Sequence, residues 1–148
     1  MALKFLLILE VFSLFVVAAL AAKIRYTAPD CRKIIGGHKA ISSDFRNLIA
    51  ILVRARNKMP KYSCQLESLA HVGFERPDFY LPMGPFTLNI PKLVYEVKTG
   101  STRTTLAAFA HYAIRNWSKN IVEMKNVKEF GCQVSENEKR KRVVCLFQ

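Results

Sequence analysis

Four cysteines constrain this chain more than any other feature. They are Cys31, Cys64, Cys132 and Cys145, and all four follow an apolar leader at the N-terminus. An even number of cysteines in a secreted chain predicts two disulfides, with three possible pairings that the spacing leaves open. A zinc site is the alternative, but no Cys-x-x-Cys or Cys-His pair has the spacing of zinc ligands.

The leader over residues 1–22 has the pattern of a signal peptide. An apolar stretch follows Lys4, and Ala19-Leu20-Ala21 fits a small-x-small cleavage site. Glu10 interrupts the apolar stretch, which argues against a retained membrane span of about 20 residues. The sequence therefore predicts a secreted protein with no membrane span, in which residues 23–148 form a single domain.

The charge of the chain is strongly positive. Its 23 Lys and Arg residues against 11 Asp and Glu residues give a net charge of +12. Such a charge favours anionic partners, and secretion makes a sulfated glycan or an acidic surface a better candidate than nucleic acid. The densest run, Lys139-Arg140-Lys141-Arg142, is a candidate anion-binding patch, and a solvated hairpin turn is the alternative interpretation.

Hydrophobic periodicity predicts three longer helices. The first follows a cap at Ser42-Ser43-Asp44, and its apolar positions have helical spacing. They are Phe45, Leu48, Ile49, Leu52 and Val53, with Arg46, Asn47, Arg54 and Arg56 on the opposite face. A second helix starts near Pro60 and carries Cys64 on its first turn. A third runs from about 106 to 122, and a short helical segment covers 32–35.

Three short strands are predicted, over residues 93–97, 129–134 and 142–147. The intervening segment 73–92 contains many prolines and aromatic residues, so we predict an irregular loop there. This loop either covers the core or offers an apolar contact surface.

Several runs of residues carry a family resemblance. The second helix has the pattern aromatic-x-Cys-x-Leu-Glu-x-x-Ala, at Tyr62, Cys64, Leu66, Glu67 and Ala70. The third helix is alanine-rich and ends in tryptophan, at Ala110, Ala113 and Trp117. The last strands contain Gly131-Cys132-Gln133-Val134 and Val143-Val144-Cys145-Leu146-Phe147. Together these runs resemble the CAP superfamily (cysteine-rich secretory, antigen 5 and pathogenesis-related proteins, with the SCP domain). The resemblance is closest to nematode venom-allergen-like and activation-associated secreted proteins.

The resemblance implies a disulfide-stapled α-β-α sandwich with a short antiparallel sheet. The chain is shorter than usual members and lacks their Gly-Glu-Asn segment, which implies that part of the family's cleft is missing. We favour pairing Cys64 with Cys132, which would tie the middle helix to the sheet, and Cys31 with Cys145.

The family's cleft usually brings together two histidines and two glutamates that can bind a metal. Only His38, in a run resembling the family's first helix, matches one of these positions, so it is a weak metal candidate and no cofactor is expected. Glu67 matches the family motif as a helix-turn partner. We expect His71 to lie on a helix face or loop, and His111 to be partly buried in a helix.

Function follows from the same resemblance. It implies a non-enzymatic extracellular protein that binds protein, sterol or other lipid, or glycan, including at a host interface. A cationic defence or matrix-binding module is the alternative, and a metal-dependent hydrolase is a weaker one. No Gly-x-Ser-x-Gly run indicates a serine nucleophile. Asn116-Trp117-Ser118 is a candidate N-glycosylation site at Asn116.

Overall fold

The computed structural model describes residues 26–36, 40–75, 90–98 and 105–148, without the side chains of 73–75. The predicted signal peptide, His38 and most of the proline-rich loop lie outside these ranges. The helices within them are α1 (Arg32–Ile35), α2 (Ser43–Arg56), α3 (Cys64–Glu75), α4 (Leu106–Asn116) and α5 (Ser118–Glu123). The strands are β1 (Lys61–Tyr62), β2 (Lys92–Lys98), β3 (Glu129–Glu136) and β4 (Arg140–Phe147).

The strands form one sheet in the order β1-β3-β4-β2. β3 and β4 are an antiparallel hairpin, and β2 pairs with β4 in antiparallel register from Lys92↔Leu146 to Lys98↔Arg140. β1 joins the other edge in parallel to β3. The sheet is therefore mixed, whereas an antiparallel sheet was predicted. β1 is parallel to β3 because the chain enters both strands from the same end of the sheet, from α2 into β1 and from α5 into β3.

Helices cover both faces of the sheet. Since successive residues of a strand point to opposite faces, the same strands contribute side chains to two separate buried clusters. Phe130, Val143 and Phe147 share one buried cluster with residues of α2 and α4, including Ile49 and Phe109. On the other face, a second cluster joins two residues of α3 to two of β4. These residues are Leu66, Ala70, Val144 and Leu146. This is the α-β-α sandwich that the sequence predicts.

The local signals for α2 are present in the structure. Ser42 caps the helix, and its Oγ accepts a hydrogen bond from the Phe45 backbone N–H at 3.3 Å. Asp44 lies in the first turn and Arg56 in the last, where each opposes the partial charge of the helix end. The apolar stripe faces the core as predicted, with Ile49 and Val53 fully buried.

The predicted third helix is divided in two at Trp117. α4 ends at Asn116, as the alanine-rich motif predicts, and α5 begins at Ser118. Trp117 is buried, and its indole Nε1 donates a hydrogen bond to the Val94 carbonyl at 3.3 Å. The side chain thus fixes this corner of the helical layer to β2.

The structure pairs Cys31 with Cys64 and Cys132 with Cys145, so the pairing favoured from the sequence is wrong. Cys132 and Cys145 stand directly opposite each other in the β3–β4 hairpin, with 4.1 Å between their Cα atoms. Cys31 lies before α1, which packs on α3 and so reaches Cys64. In the chain-entropy model a disulfide stabilises the fold by restricting the unfolded chain. The Cys31–Cys64 bond spans 33 residues and should contribute about 4 kcal/mol, and the Cys132–Cys145 bond spans 13 residues and should contribute about 3 kcal/mol.

Candidate functional site

A buried ion pair joins the two helical layers at Arg46 and Glu67. The Arg46 Nε lies 2.8 Å from Glu67 Oε2, and its Nη2 lies 2.9 Å from Oε1. The two side chains are 2% and 0% exposed, and their two parallel bonds form a bidentate pair. Arg46 was predicted on the face of α2 opposite the apolar stripe, and Glu67 as a helix-turn partner. Both predictions are wrong, because each residue takes its partner from a different helix.

Two further donors complete the environment of the Glu67 carboxylate. The Ile41 backbone N–H donates to Oε1 at 3.1 Å, and the Tyr62 hydroxyl donates to Oε2 at 2.8 Å. Arg46 Nη2 also donates to the Ile41 carbonyl at 2.9 Å. Two carboxylate oxygens offer about four acceptor positions. Arg46 and Ile41 occupy three of them, and the fourth faces the Tyr62 hydroxyl, which is nearer to Glu67 than to the Cys132 carbonyl oxygen at 3.1 Å. Glu67 therefore has no free lone pair for a metal ion or for proton transfer.

Tyr62 extends this network to the sheet. Its hydroxyl oxygen accepts a bond from the Cys132 backbone N–H at 3.3 Å, and its ring packs edge-on against Phe130 with centroids 5.1 Å apart. Burial raises the pKa of Tyr62 well above its ordinary value, and the negative charge of Glu67 raises that pKa further. The phenol is therefore held neutral between a carboxylate and a strand.

This raised pKa predicts a loss of stability in alkali. Above about pH 10 the unfolded Tyr62 ionises while the folded one keeps its proton, so the folded state binds more protons. The free energy of unfolding then falls by about 1.4 kcal/mol per pH unit up to the folded pKa. Urea unfolding between pH 9 and 11 should show this slope in the wild type. Tyr62→Phe should be less stable at pH 7 and should lack that part of the slope, and parallel slopes would contradict the assignment.

The predicted basic patch at 139–142 is divided between the two faces of the sheet. Lys141 is buried, with its Nζ 3.0 Å from Glu136 Oε1 and above the Phe109 ring. Arg140 and Arg142 both lie near Glu96, at 3.3 and 3.7 Å. Only Lys139, Arg140 and Arg142 line a common surface depression, of about 310 Å³, and Glu96 lines it with them. Of the three cations at this depression, Arg140 and Arg142 are therefore paired with the same carboxylate, and the anion-binding interpretation of the run stays a prediction.

A different group of cations gathers at the opposite end of the sheet, where β1 and β3 begin. The Lys61 backbone N–H donates to the Lys128 carbonyl at 2.8 Å, which places the segments before β1 and β3 side by side. The Asn57 side-chain amide reinforces this by donating to the Met124 carbonyl at 2.9 Å. We call this surface the basic end. Its exposed cations are Arg56, Lys58, Lys61, Lys125 and Lys128.

A groove between α2 and α4 adjoins the basic end through Arg56. The groove has a volume of about 440 Å³, and its α4 side is one helical stripe with residues at i, i+3, i+4 and i+7. These residues are Ala108, His111, Tyr112 and Arg115. Tyr112 is 52% exposed, and His111 is exposed rather than partly buried as predicted. Sequence reasoning missed this groove, although the spacing of its α4 residues was a usable signal.

A second surface depression, of about 510 Å³, lies beside α3 and is more apolar. It is lined by Ile34, Gln65, Leu66, Ser68, Leu69, Ile90 and Gln148. Ile90 follows directly on the part of the proline-rich loop that lies outside the described residues.

The remaining predicted residues do not converge on a metal site. Among the described residues, no three His, Cys, Asp or Glu side chains are grouped so as to hold a metal ion. His71 lies on α3, with Nδ1 3.3 Å from Gln133 Nε2. Asn116 is exposed at the end of α4. No helix in the described ranges is long and apolar enough to cross a membrane.

Solved structures with a similar fold include hookworm ASP proteins. Manganese-bound Ac-ASP-7, an Ancylostoma-secreted protein, aligns with a TM-score of 0.55 and 17% identity, covering 76% of this chain and 73% of that one. NaASP2 with Zn²⁺ aligns with a TM-score of 0.53 and 13% identity, covering 81% of this chain and 83% of that one. At these identities the likeness shows the fold alone. No curated protein sequence matches the chain significantly.

The sequence of the chain also matches one family over nearly all of the part that follows the leader. The match covers residues 31–147, from the first cysteine to the last residue of β4, and the family is described as Ancylostoma-associated secreted protein related. Both the motifs and the fold therefore agree with the resemblance found in the sequence. The chain belongs to the Ancylostoma-associated secreted protein related family, and it is a shortened, divergent member of the CAP superfamily.

Proposed function

We propose that this protein is secreted and acts outside the cell as a non-enzymatic binding protein. Its partner is an extracellular protein, a lipid or a glycan. The observation that carries the proposal is the state of Glu67, the carboxylate of the family motif. Since its four acceptor positions are occupied by Arg46, Tyr62 and Ile41, it serves to join α2, α3 and the sheet. The polar centre of the fold is thus a structural element, and the exposed surface is left to make contacts.

Metal chemistry does not enter this proposal. Two proteins of the same fold are described with manganese and with zinc. A metal would need imidazoles and carboxylates that converge with free lone pairs. Within the described ranges, Glu67 has none to offer, and the Nδ1 of His71 lies beside the Gln133 amide. The residues described here therefore do not fit a metal centre, and His38 lies outside them.

Expression of the full chain in insect cells tests the proposal. We expect the chain in the medium, cleaved near Ala21 or Ala22, with both disulfides formed. The purified, fluorescently labelled protein should bind intact animal cells saturably, and EDTA should not change that binding. Reduced and alkylated protein is the control, which should lose binding with its fold. Retention inside the producing cells, non-saturable binding or a requirement for a divalent metal would each overturn the proposal.

A further inference from the structure

We propose that the groove between α2 and α4, together with the basic end, is a binding site for sulfated glycans. The inference rests on the extracellular binding role proposed above and names its partner. It identifies a surface that differs from the basic run at 139–142. Its parts are a groove with an exposed aromatic ring and a cationic surface that continues from the groove.

The groove has the chemistry needed to hold a sulfated sugar ring. Tyr112 offers an exposed aromatic face on which an apolar sugar face can stack. Arg56 and Arg115 line the same groove from opposite helices, and a guanidinium group can form two parallel hydrogen bonds to a planar pair of anionic oxygens. Its volume of about 440 Å³ falls within the range of small-molecule sites.

The basic end provides a path for the rest of a linear polymer. Arg56 belongs to both surfaces. Beyond it, Lys58 and Lys61 lie on the stretch that leads into β1, and Lys125 and Lys128 lie on the stretch before β3. A chain that is sulfated on successive sugars can therefore contact the groove with one ring and the lysines with the next. This extended arrangement favours a polymer over a single small anion.

The cations of this surface are available to a ligand. None of them makes an ion pair within 4 Å with another residue of the described ranges. Three negative groups of the described segments lie at this end, namely Glu123, Glu129 and the carboxylate of Gln148, against five cations. At the opposite end, Glu96 and Glu136 already pair with Arg140, Arg142 and Lys141. A polyanion therefore meets less competition from carboxylates at the basic end.

The test compares variants of equal charge in binding to a heparin-derived oligosaccharide at fixed ionic strength. Arg56→Gln/Arg115→Gln removes two groove cations, and Lys139→Gln/Arg140→Gln removes two cations of the hairpin. We expect about a tenfold loss of affinity for the first variant, and less than about a twofold loss for the second. Tyr112→Ala leaves the charge unchanged, and we expect about a fivefold loss from the missing stacking contact. Thermal unfolding should show that all three variants are folded.

Three outcomes would overturn the inference. Equal losses in the two charge variants would show that net charge alone drives binding. A larger loss in the hairpin variant would place the site at 139–142. Vesicles of phosphatidylserine that bind as tightly as heparin, with the same dependence on Arg56 and Arg115, would identify a membrane surface as the partner. If the glycan site is wrong but the extracellular binding role is right, the variant Arg56→Gln/Arg115→Gln should still bind cells saturably. Loss of saturable binding by the wild type itself would instead count against the extracellular role.

Discussion

Replacing Arg46 with methionine should lower the free energy of unfolding by about 3–5 kcal/mol. The substitution keeps much of the side-chain volume but leaves the fully buried Glu67 carboxylate without its cation. The Ile41 carbonyl also loses a donor. Urea unfolding of the mature protein, with both disulfides intact, measures the change at pH 7.

Two variants make this result specific to the ion pair. Arg54→Met removes a cation from the same helix, where it lies over the Tyr26 ring and donates to the Pro60 carbonyl, and should cost about 1 kcal/mol. Arg46→Met/Glu67→Leu removes both charges and should recover much of the loss, since a buried pair can be replaced by apolar groups at little cost. A loss below about 1 kcal/mol in Arg46→Met would show that the pair does not hold the layers together.

Replacing Gly131 with alanine should cost roughly 3 kcal/mol, because the added methyl group has no space. A Cβ at this position would meet the backbone nitrogen of Glu67, and would lie 2.5 Å from the Leu66 carbonyl carbon and 2.6 Å from the Ser63 carbonyl oxygen. These are backbone atoms at the start of α3, which cannot turn aside as a flexible side chain can. The methyl group would therefore push α3 away from β3 and strain the bonds to Glu67.

Thermal unfolding of Gly131→Ala measures this effect. Ser135→Ala, on the same face of β3 but exposed, is the matched control and should lie within about 0.5 kcal/mol of the wild type. A Gly131→Ala protein that unfolds like the wild type would show that α3 does not approach the strand this closely.

Much of the fold could be predicted from the sequence because its signals are local. The cap at Ser42, the apolar stripe of α2 and the short apolar runs of the last two strands each depend on residues within a few positions of one another. The alanine-rich motif also predicted a helix end at Trp117, whereas helical spacing extended the same helix to about 122. The edges of β2, β3 and β4 differ from the prediction by at most two residues, as expected where hydrogen bonding fades. β1 was not predicted, and α3 begins at Cys64 rather than near Pro60.

The pairing of the cysteines depended on register, which hydrophobic patterning did not provide. A signal was nevertheless present in Asn137, whose side-chain oxygen accepts bonds from the Lys139 and Arg140 backbone N–H groups in the hairpin turn. This turn fixes the register and sets Cys132 opposite Cys145. Asparagine is a common turn residue for this physical reason, so the position of the turn could have been used.

The candidate sites were harder to predict because their residues come from distant segments. Arg46 and Glu67 are separated by 21 positions, and nothing in the sequence links them before α2 and α3 pack together. The basic end likewise gathers single lysines from two connections, while the conspicuous run at 139–142 is partly neutralised by Glu96 and Glu136. Charge density along the sequence therefore gave a poor guide to charge density on the surface.

The two disulfides join the first cysteine to the second and the third to the fourth. If the chain enters the secretory pathway as proposed, the second cysteine of each pair is translocated after its native partner. When Cys64 arrives, Cys31 is the free thiol already present, and Cys132 is the free thiol when Cys145 arrives. Oxidation can follow the order of emergence, and no wrongly paired intermediate has to be reshuffled by thiol–disulfide exchange. The nascent N-terminal half can thus be covalently closed before β4 arrives to complete the centre of the sheet.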